Sequence, residues 1–288
     1  MAISDLYYNN LSKLMVIPVI LLLISVIIVV NTYKTHGDIV IKDVSLTGGV
    51  TARIEVNADT EKLAKSLSEK LNQEVLVKKI SNFGSEEATG IIIETSEIEI
   101  SLLEAAIEEE LKIELNDKNY SAEQTGSSLG KSFYKQMIKA VLFAFLLMAI
   151  TVLIAFRSFI PAIAVVGAAF FDLITTIATL DILEIKISTA GIAALLLLIG
   201  YSIDTDVLLT TRVLKRQGEL KSKIFSSIKT GMTMTFTTLA ALTVGAIASN
   251  AEIIRQMFII IIIGLLFDMI STWIVNVYII KKYVERRE

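Results

Sequence analysis

The chain of 288 residues has no cysteine and a single histidine, His36. No disulfide framework, thiolate metal site or cysteine nucleophile is open to it, and one imidazole does not make a zinc centre; no metal and no cofactor are expected. Charge is scarce as well, at 20% of residues against 53% hydrophobic, with a mean hydropathy of +0.66. Apolar content this high and this clustered excludes a soluble enzyme of the same size and reads as a polytopic membrane protein. Phosphate loops are missing too: Thr47-Gly48-Gly49 is too short a glycine motif and reads as a turn. His36, beside Gly37 just past the first apolar run, reads as solvent-exposed and receives no role.

The charge that is present is unevenly placed. Residues 34–130 hold 10 Lys/Arg against 19 Asp/Glu, residues 212–229 hold six against one, and residues 281–288 hold four against two. Positive charge marks the cytoplasmic side, so both termini and residues 212–230 are expected inside and residues 34–130 outside. Lys and Arg beside spans answer to topology and anionic membrane lipid, and no nucleic-acid partner is expected.

The chain divides into three regions. Residues 1–33 are a polar N-terminus and a first span, Leu14 to Val30. It reads as an uncleaved anchor, since Asp5 and Lys13 make a poor signal-peptide start and no small-x-small cleavage pattern comes after it. Residues 34–130 change period. Thr51 to Val56, Glu74 to Ile80, Ile91 to Glu94 and Lys118 to Ala122 read as strands, and Asn82-Phe83-Gly84-Ser85 as a turn. Thr60 to Leu71 spaces Leu63, Leu67 and Leu71 as a helix does, capped by Asp59 or Thr60; Ser101 to Leu111 is a second helix with Leu102, Leu103, Ala106, Ile107 and Leu111 on one side. The order β-α-β-β-α-β predicts an external α+β domain of ferredoxin-like type, a two-layer sandwich. Residues 131–288 then carry five further spans. Gly126 to Gly130 is read as a flexible joint before them, Asp181 to Lys186 as a short external loop, and Lys215 to Lys229 as a basic interfacial helix. The expected architecture is a membrane bundle of six transmembrane helices with the external domain inserted after the first.

The chemistry-bearing residues lie inside the spans. Asp204 and Asp206 come directly after the apolar run Ile192 to Ile199, and the first cation beyond them is Arg212. Asp172 stands about 16 Å into the third span and Asp268 about halfway along the sixth. An intramembrane acid costs at least about 2.5 kcal/mol, so each is a functional candidate by default. Asp204 and Asp206 are about 200° apart on a helix and cannot point into one lane; Asp204, the deeper, is expected to face it. Tyr201, Ser202, Thr205, Thr233 and Thr237 are the hydroxyls available to a polar lane, although threonines such as Thr230, Thr233 and Thr237 also back-bond to their own helix. Phe171-Asp172-Leu173-Ile174-Thr175-Thr176 is echoed by Phe267-Asp268-Met269-Ile270-Ser271-Thr272, and inverted repeats are common in transporters.

One span, an α+β domain and five more spans, in that order, resemble the SecD/SecF family of protein-export membrane proteins, and within it the smaller SecF half. The marks are Leu46-Thr47-Gly48-Gly49, Thr125-Gly126-Ser127-Ser128-Leu129-Gly130, Phe171-Asp172, Ile199-Gly200-Tyr201-Ser202-Ile203-Asp204 running to Arg212, and Thr230 with Thr235 and Thr237-Thr238. The usual bacterial span four reads Gly-Tyr-Ser-Ile-Asn-Asp-Thr. Here the family acid falls on Thr205, flanked by Asp204 and Asp206, and the form looks archaeal. The resemblance implies an accessory subunit, not an enzyme, in the cytoplasmic membrane. It would aid movement of unfolded exported polypeptide through the Sec translocation channel beside a SecD-like subunit, with possible coupling to the proton gradient.

Two other classes compete. A half-size proton-linked exporter of the resistance-nodulation-division type, moving lipid or a small solute, shares the helix architecture, but that class generally has twice the spans. An intramembrane aspartyl protease needs Tyr-Asp and Gly-x-Gly-Asp motifs, and neither occurs. No Lys, Arg or His faces the acids between the span ends, so either the acids stay protonated or another chain supplies the charge; the resemblance implies a SecD-like chain, expected against span four at Ala190, Gly191, Ala193 and Ala194.

Overall fold

The computed structural model describes residues 3–81, 88–96, 98–116, 118–249 and 251–287. In chain order its elements are α1 (Ile3–Leu14), α2 (Val16–His36), α3 (Val44–Thr47), β1 (Gly49–Ile54), α4 (Thr60–Leu71), β2 (Val75–Ser81), β3 (Ala88–Thr95), α5 (Ile100–Leu111) and β4 (Tyr120–Thr125). Then come α6 (Ser127–Phe156), α7 (Phe159–Ile182), α8 (Thr189–Lys215), α9 (Leu220–Ala248), α10 (Glu252–Ile270), a π-helical segment (Ser271–Asn276) and α11 (Val277–Glu285). The chain divides into two compact units: Met1–Ile41 with Lys139–Ala246 and Ile253–Glu288, and Lys42–Ile138 with Ile247–Glu252.

The second unit holds the sheet. Its strand order is β2-β3-β1-β4, with all neighbours antiparallel and Ala52 between Ile93 and Ala122. Alternation puts Val50, Ala52, Ile54, Ile91 and Ile93 on one face, where Leu63 and Leu67 of α4 and Leu103, Ala106 and Ile107 of α5 bury against them. The Asp59 carboxylate caps α4 by accepting from the Glu61 and Lys62 amides, and Asn72 ends it in the left-handed region. Leu102, expected on the inner face of α5, is 56% exposed, because it lies about 100° around the helix from Leu103. The turn expected at residues 82–85 lies outside the described residues.

Two glycine motifs meet in this unit. Gly48 has φ +88°, and a Cβ there would strike the Ser127 main chain; a Cβ on Gly130 would come within 2.9 Å of Gly48 N and Leu46 O. Ser127 and Gly130 are therefore packed against Gly48 and Leu46, and Ser127 to Gly130, expected within a flexible joint, is already the first turn of α6; Gly126 has open space beside it.

Among the described residues, six helical stretches are long and apolar enough to cross a membrane: Asp5–His36, Ser127–Phe156, Phe159–Ile182, Thr189–Lys215, Leu220–Ala248 and Ile253–Glu285. The chain is a multi-pass membrane protein. The expected separate basic helix is the first part of α9, which runs unbroken from Leu220. The polar N-terminus is itself helical. α7 is the most enclosed span, buried through Ala162, Ala164, Ala168, Ala169 and Ala178, small residues that let α2 and α8 approach closely. α8 and α10 are held together the same way: a Cβ on Gly264 would collide with Leu198, and one on Gly191 would press on Ile187 and Ile260. Asp181 is not in a loop; it belongs to the last turn of α7 and is 8% exposed.

Candidate functional site: a buried carboxylate cluster

These close contacts bring polar side chains of α7, α8, α10 and the π segment together between the helices. Asp172, Asp206 and Asp268 are each at most 1% exposed. Ser202 Oγ donates to Asp172 Oδ2 and Ser271 Oγ to Asp172 Oδ1, both at 2.6 Å. Thr272 Oγ1 lies 2.8 Å from Asp206 Oδ1 and 3.2 Å from Asp268 Oδ1. Thr205 Oγ1 lies 3.2 Å from Asp268 Oδ2 and 2.9 Å from its own helix carbonyl at Ser202. Asn276 Nδ2 donates to Asp206 Oδ1 at 2.6 Å.

The donors are hydroxyls and one amide. Among the described residues no Lys, Arg or His forms a salt bridge with these acids. Arg212, on the same helix as Asp206, instead donates to Ser226 O at 2.7 Å and Thr230 Oγ1 at 2.8 Å, tying α8 to α9. Donors are also short in number. The single Thr272 hydrogen faces two carboxylates, while Asp206 Oδ2 and Asn276 Oδ1 are buried acceptors with no partner among the described residues. Three full negative charges held this way in a low-dielectric interior would be very costly, and a proton shared among the acids relieves both deficits. No group of three or more His, Cys, Asp or Glu side chains suited to a metal occurs among the described residues.

The helix periodicity that separates Asp204 from Asp206 turns the other one inward. Asp206 is fully buried and Asp204 is exposed at the outer surface of α8, away from the cluster. Depth along the helix was the wrong criterion; the facing set by Ser202, Thr205 and Leu209 decides. Ser202 and Thr205 join the acids, whereas Tyr201 is 36% exposed on the outer side. Thr233 and Thr237 are exposed and back-bond to Lys229 O and Met234 O, both at 2.8 Å. The two echoing hexapeptides converge: Asp172 and Asp268 sit in one cluster, and Ser271 of the second motif binds Asp172. Asn276 escaped the sequence reading, although an Asn within an apolar run was its available signal. Gly191 and Ala194 are buried inside the chain and are not free for a partner.

Residues 106–286 match the family model for the C-terminal part of the protein export membrane proteins SecD/SecF. A SecF from Pyrococcus furiosus is 36% identical over 278 residues, covering 96% of this chain and 92% of that protein. A SecF from Methanocaldococcus jannaschii is 35% identical over 275 residues, covering 93% and 94%. Among solved structures, SecDF of Thermus thermophilus, described as a translocon-associated membrane protein, superimposes with TM-score 0.76 at 19% identity. That match covers 99% of this chain, which spans only 40% of the SecDF polypeptide. By the family model and by full-length relatives above 30% identity, the chain belongs to the SecD/SecF family of protein-export membrane proteins, with its relatives in the SecF branch.

Proposed function

We propose that the chain is an accessory subunit of the Sec protein-translocation machinery, assisting polypeptide export across the cytoplasmic membrane beside a SecD-like subunit. The relatives' common description as protein-export membrane proteins supports this, and it disfavours the half-size lipid or solute exporter. A SecDF polypeptide of which this chain spans 40% is consistent with a partner that supplies the remaining part. The termini and residues 212–230 are assigned to the cytoplasm and residues 34–130 to the outside on the Lys/Arg distribution. The strand order β2-β3-β1-β4, with helices after β1 and β3, supports a ferredoxin-like external domain. Its acidic surface would meet the partner's domain or the emerging unfolded chain, and would favour segments poor in acid.

The observation that carries the mechanism is the trio of buried carboxylates from three spans, bridged by hydroxyls and an amide and, among the described residues, paired with no cation. Such a cluster can take up and release one proton with small movements of Thr272, Ser271 and Asn276. The acids then couple proton movement to helix movement. Asp206 and Asp172 carry the role, with Asp268 sharing their donors. Asp204, Tyr201, Leu197, Gly200, Ala193 and Ala190 form the outer stripe of α8, which a SecD-like helix would cover; Gly200 has open space beside it. The test is export of a Sec substrate in cells carrying Asp206→Asn or Asp172→Asn. Export is expected to fall roughly tenfold or more at unchanged protein level, the scale of losing a proton-transfer group. Normal export in both variants would leave the acids structural.

A further inference from the structure

The helix that carries Asp268 changes its winding immediately after it. Ser271–Asn276 is π-helical, and Val277 N–H is shared between Ile274 O, three residues back, and Thr272 O, five residues back, passing over Trp273 O, four residues back. π turns inside α-helices cluster at working sites, because one extra residue re-aims the side chains beyond it. Here Ser271, Thr272 and Asn276 all reach the carboxylates from the π segment. In an uninterrupted α-helix the residues beyond the turn would be rotated by about 100°, the angle of one residue, and Asn276 would leave Asp206.

The carbonyl released by this winding is taken by another part of the chain: Tyr7 Oη of α1 donates to Trp273 O. α1 is firmly seated for that purpose. Asp5 pairs with Lys221, and the Tyr7 ring packs edge-on against Phe225 at 5.8 Å. Lys281 donates to Tyr8 O at 2.9 Å and lies 3.6 Å above the Tyr8 ring. Leu11 is 1% exposed in a cluster with Leu209, Val213, Trp273, Val277 and Ile280. On the other side, α9 leaves room for the Trp273 ring through Gly231, where a Cβ would overlap it.

We infer that Tyr7 is a positioning residue for the carboxylate cluster. Its hydroxyl stabilises the π winding, and the π winding keeps Thr272 and Asn276 on Asp206. The linkage runs both ways, so a change of charge at Asp206 alters the hold of α1 on the Trp273 carbonyl. The proton half of this statement rests on the reading of the cluster given above; the positioning half does not. The charged and titratable groups around the segment are Asp172, Asp206 and Asp268 from α7, α8 and α10. Beyond them are Arg212, bound to α9, the Asp5–Lys221 pair and Lys281.

Trp273 is the chain's only tryptophan, so its emission reports on the π segment without labelling. The experiment records that emission against pH for the full chain in lipid nanodiscs, in the wild type, Tyr7→Phe, Asp206→Asn and Tyr33→Phe, with export measured in parallel. Tyr7→Phe keeps the ring and removes only the hydroxyl. It is expected to shift the Trp273 emission, displace its pH midpoint by roughly one unit and lower export several-fold, the scale of one hydrogen bond coupled to a titration. Asp206→Asn removes the titration, and Tyr33→Phe, on the exposed side of α2, changes nothing. A wild-type emission that ignores pH while Tyr7→Phe still displaces it sinks the proton reading and upholds the positioning role. Emission, midpoint and export all unchanged in Tyr7→Phe overturn the inference. Far-UV circular dichroism and monodispersity identify a variant that fails to fold. In that case Tyr7→Trp, read against Trp273→Phe, must place the two side chains in contact by energy transfer or the inference falls.

Discussion

Thr272 and Asp206, 66 positions apart, meet at 2.8 Å between Oγ1 and Oδ1, and the same hydroxyl stands 3.2 Å from Asp268. One hydrogen serves two acids, so the charge on either acid determines where it points. Thr272→Val keeps the volume and removes that hydrogen. Export is expected to fall several-fold at normal protein level, while Thr272→Ser retains most of it. Equal export from Val and Ser would remove Thr272 from the mechanism.

The packed glycine junction makes a second expectation. Gly48→Ala places a methyl group against the Ser127 main chain at φ +88°. The cost should be about 1–3 kcal/mol, from overpacking and a backbone that L-residues avoid. Thermal unfolding of the second unit should begin lower than in the wild type, and Gly37→Ala, with open space around it, should cost less. A Gly48→Ala protein with unaltered unfolding would contradict the packed junction.

Tyr120 is the only tyrosine within residues 36–124. Burial, then the neighbouring Glu104 carboxylate, pushes its phenol up from 10.0 to about 12. Because the folded value is raised, the neutral phenol contributes stability that is complete below pH 10 and lost as pH climbs through 12. Residues 36–124 expressed alone should show phenolate absorbance rising near that higher value when folded and near the lower one in denaturant. A folded domain titrating at the ordinary value would contradict the burial. A random-coil spectrum would contradict an independent domain.

The outer stripe of α8 can be tested by crosslinking. Leu197 is 47% exposed and Ala194 fully buried, although the two lie only about 60° apart around the same helix. With no native cysteine, Leu197→Cys in native membranes is expected to crosslink to a larger, similarly built protein, and Ala194→Cys is not. Crosslinking at neither position would move the partner to another face.

Where burial obeys the helix or strand period, the sequence told much of this. Leu63, Leu67, Val50, Ala52 and Ile54 lie where their spacing puts them, because a two-layer sandwich buries one face of each element. The intramembrane acids were legible because nothing apolar explains them. Which acid turns inward was not. Asp204 and Asp206 stand two positions apart in one polar stretch, and only the packing of α8 against α7, α10 and the π segment picks the face. Asn276 and Tyr7 were equally hidden. A π turn depends on long-range hydrogen bonds that leave no periodic trace, and Tyr7 reaches Trp273 from the far end of the chain.

The most direct measurement is proton flux in proteoliposomes holding the complex of this chain with its partner, under an imposed pH gradient. The account expects flux in the wild type, loss of it in Asp206→Asn and Asp172→Asn, and retention in Asp204→Asn as long as the complex stays intact. Flux that persists in Asp206→Asn, or a wild type that supports export with no flux at all, would contradict it.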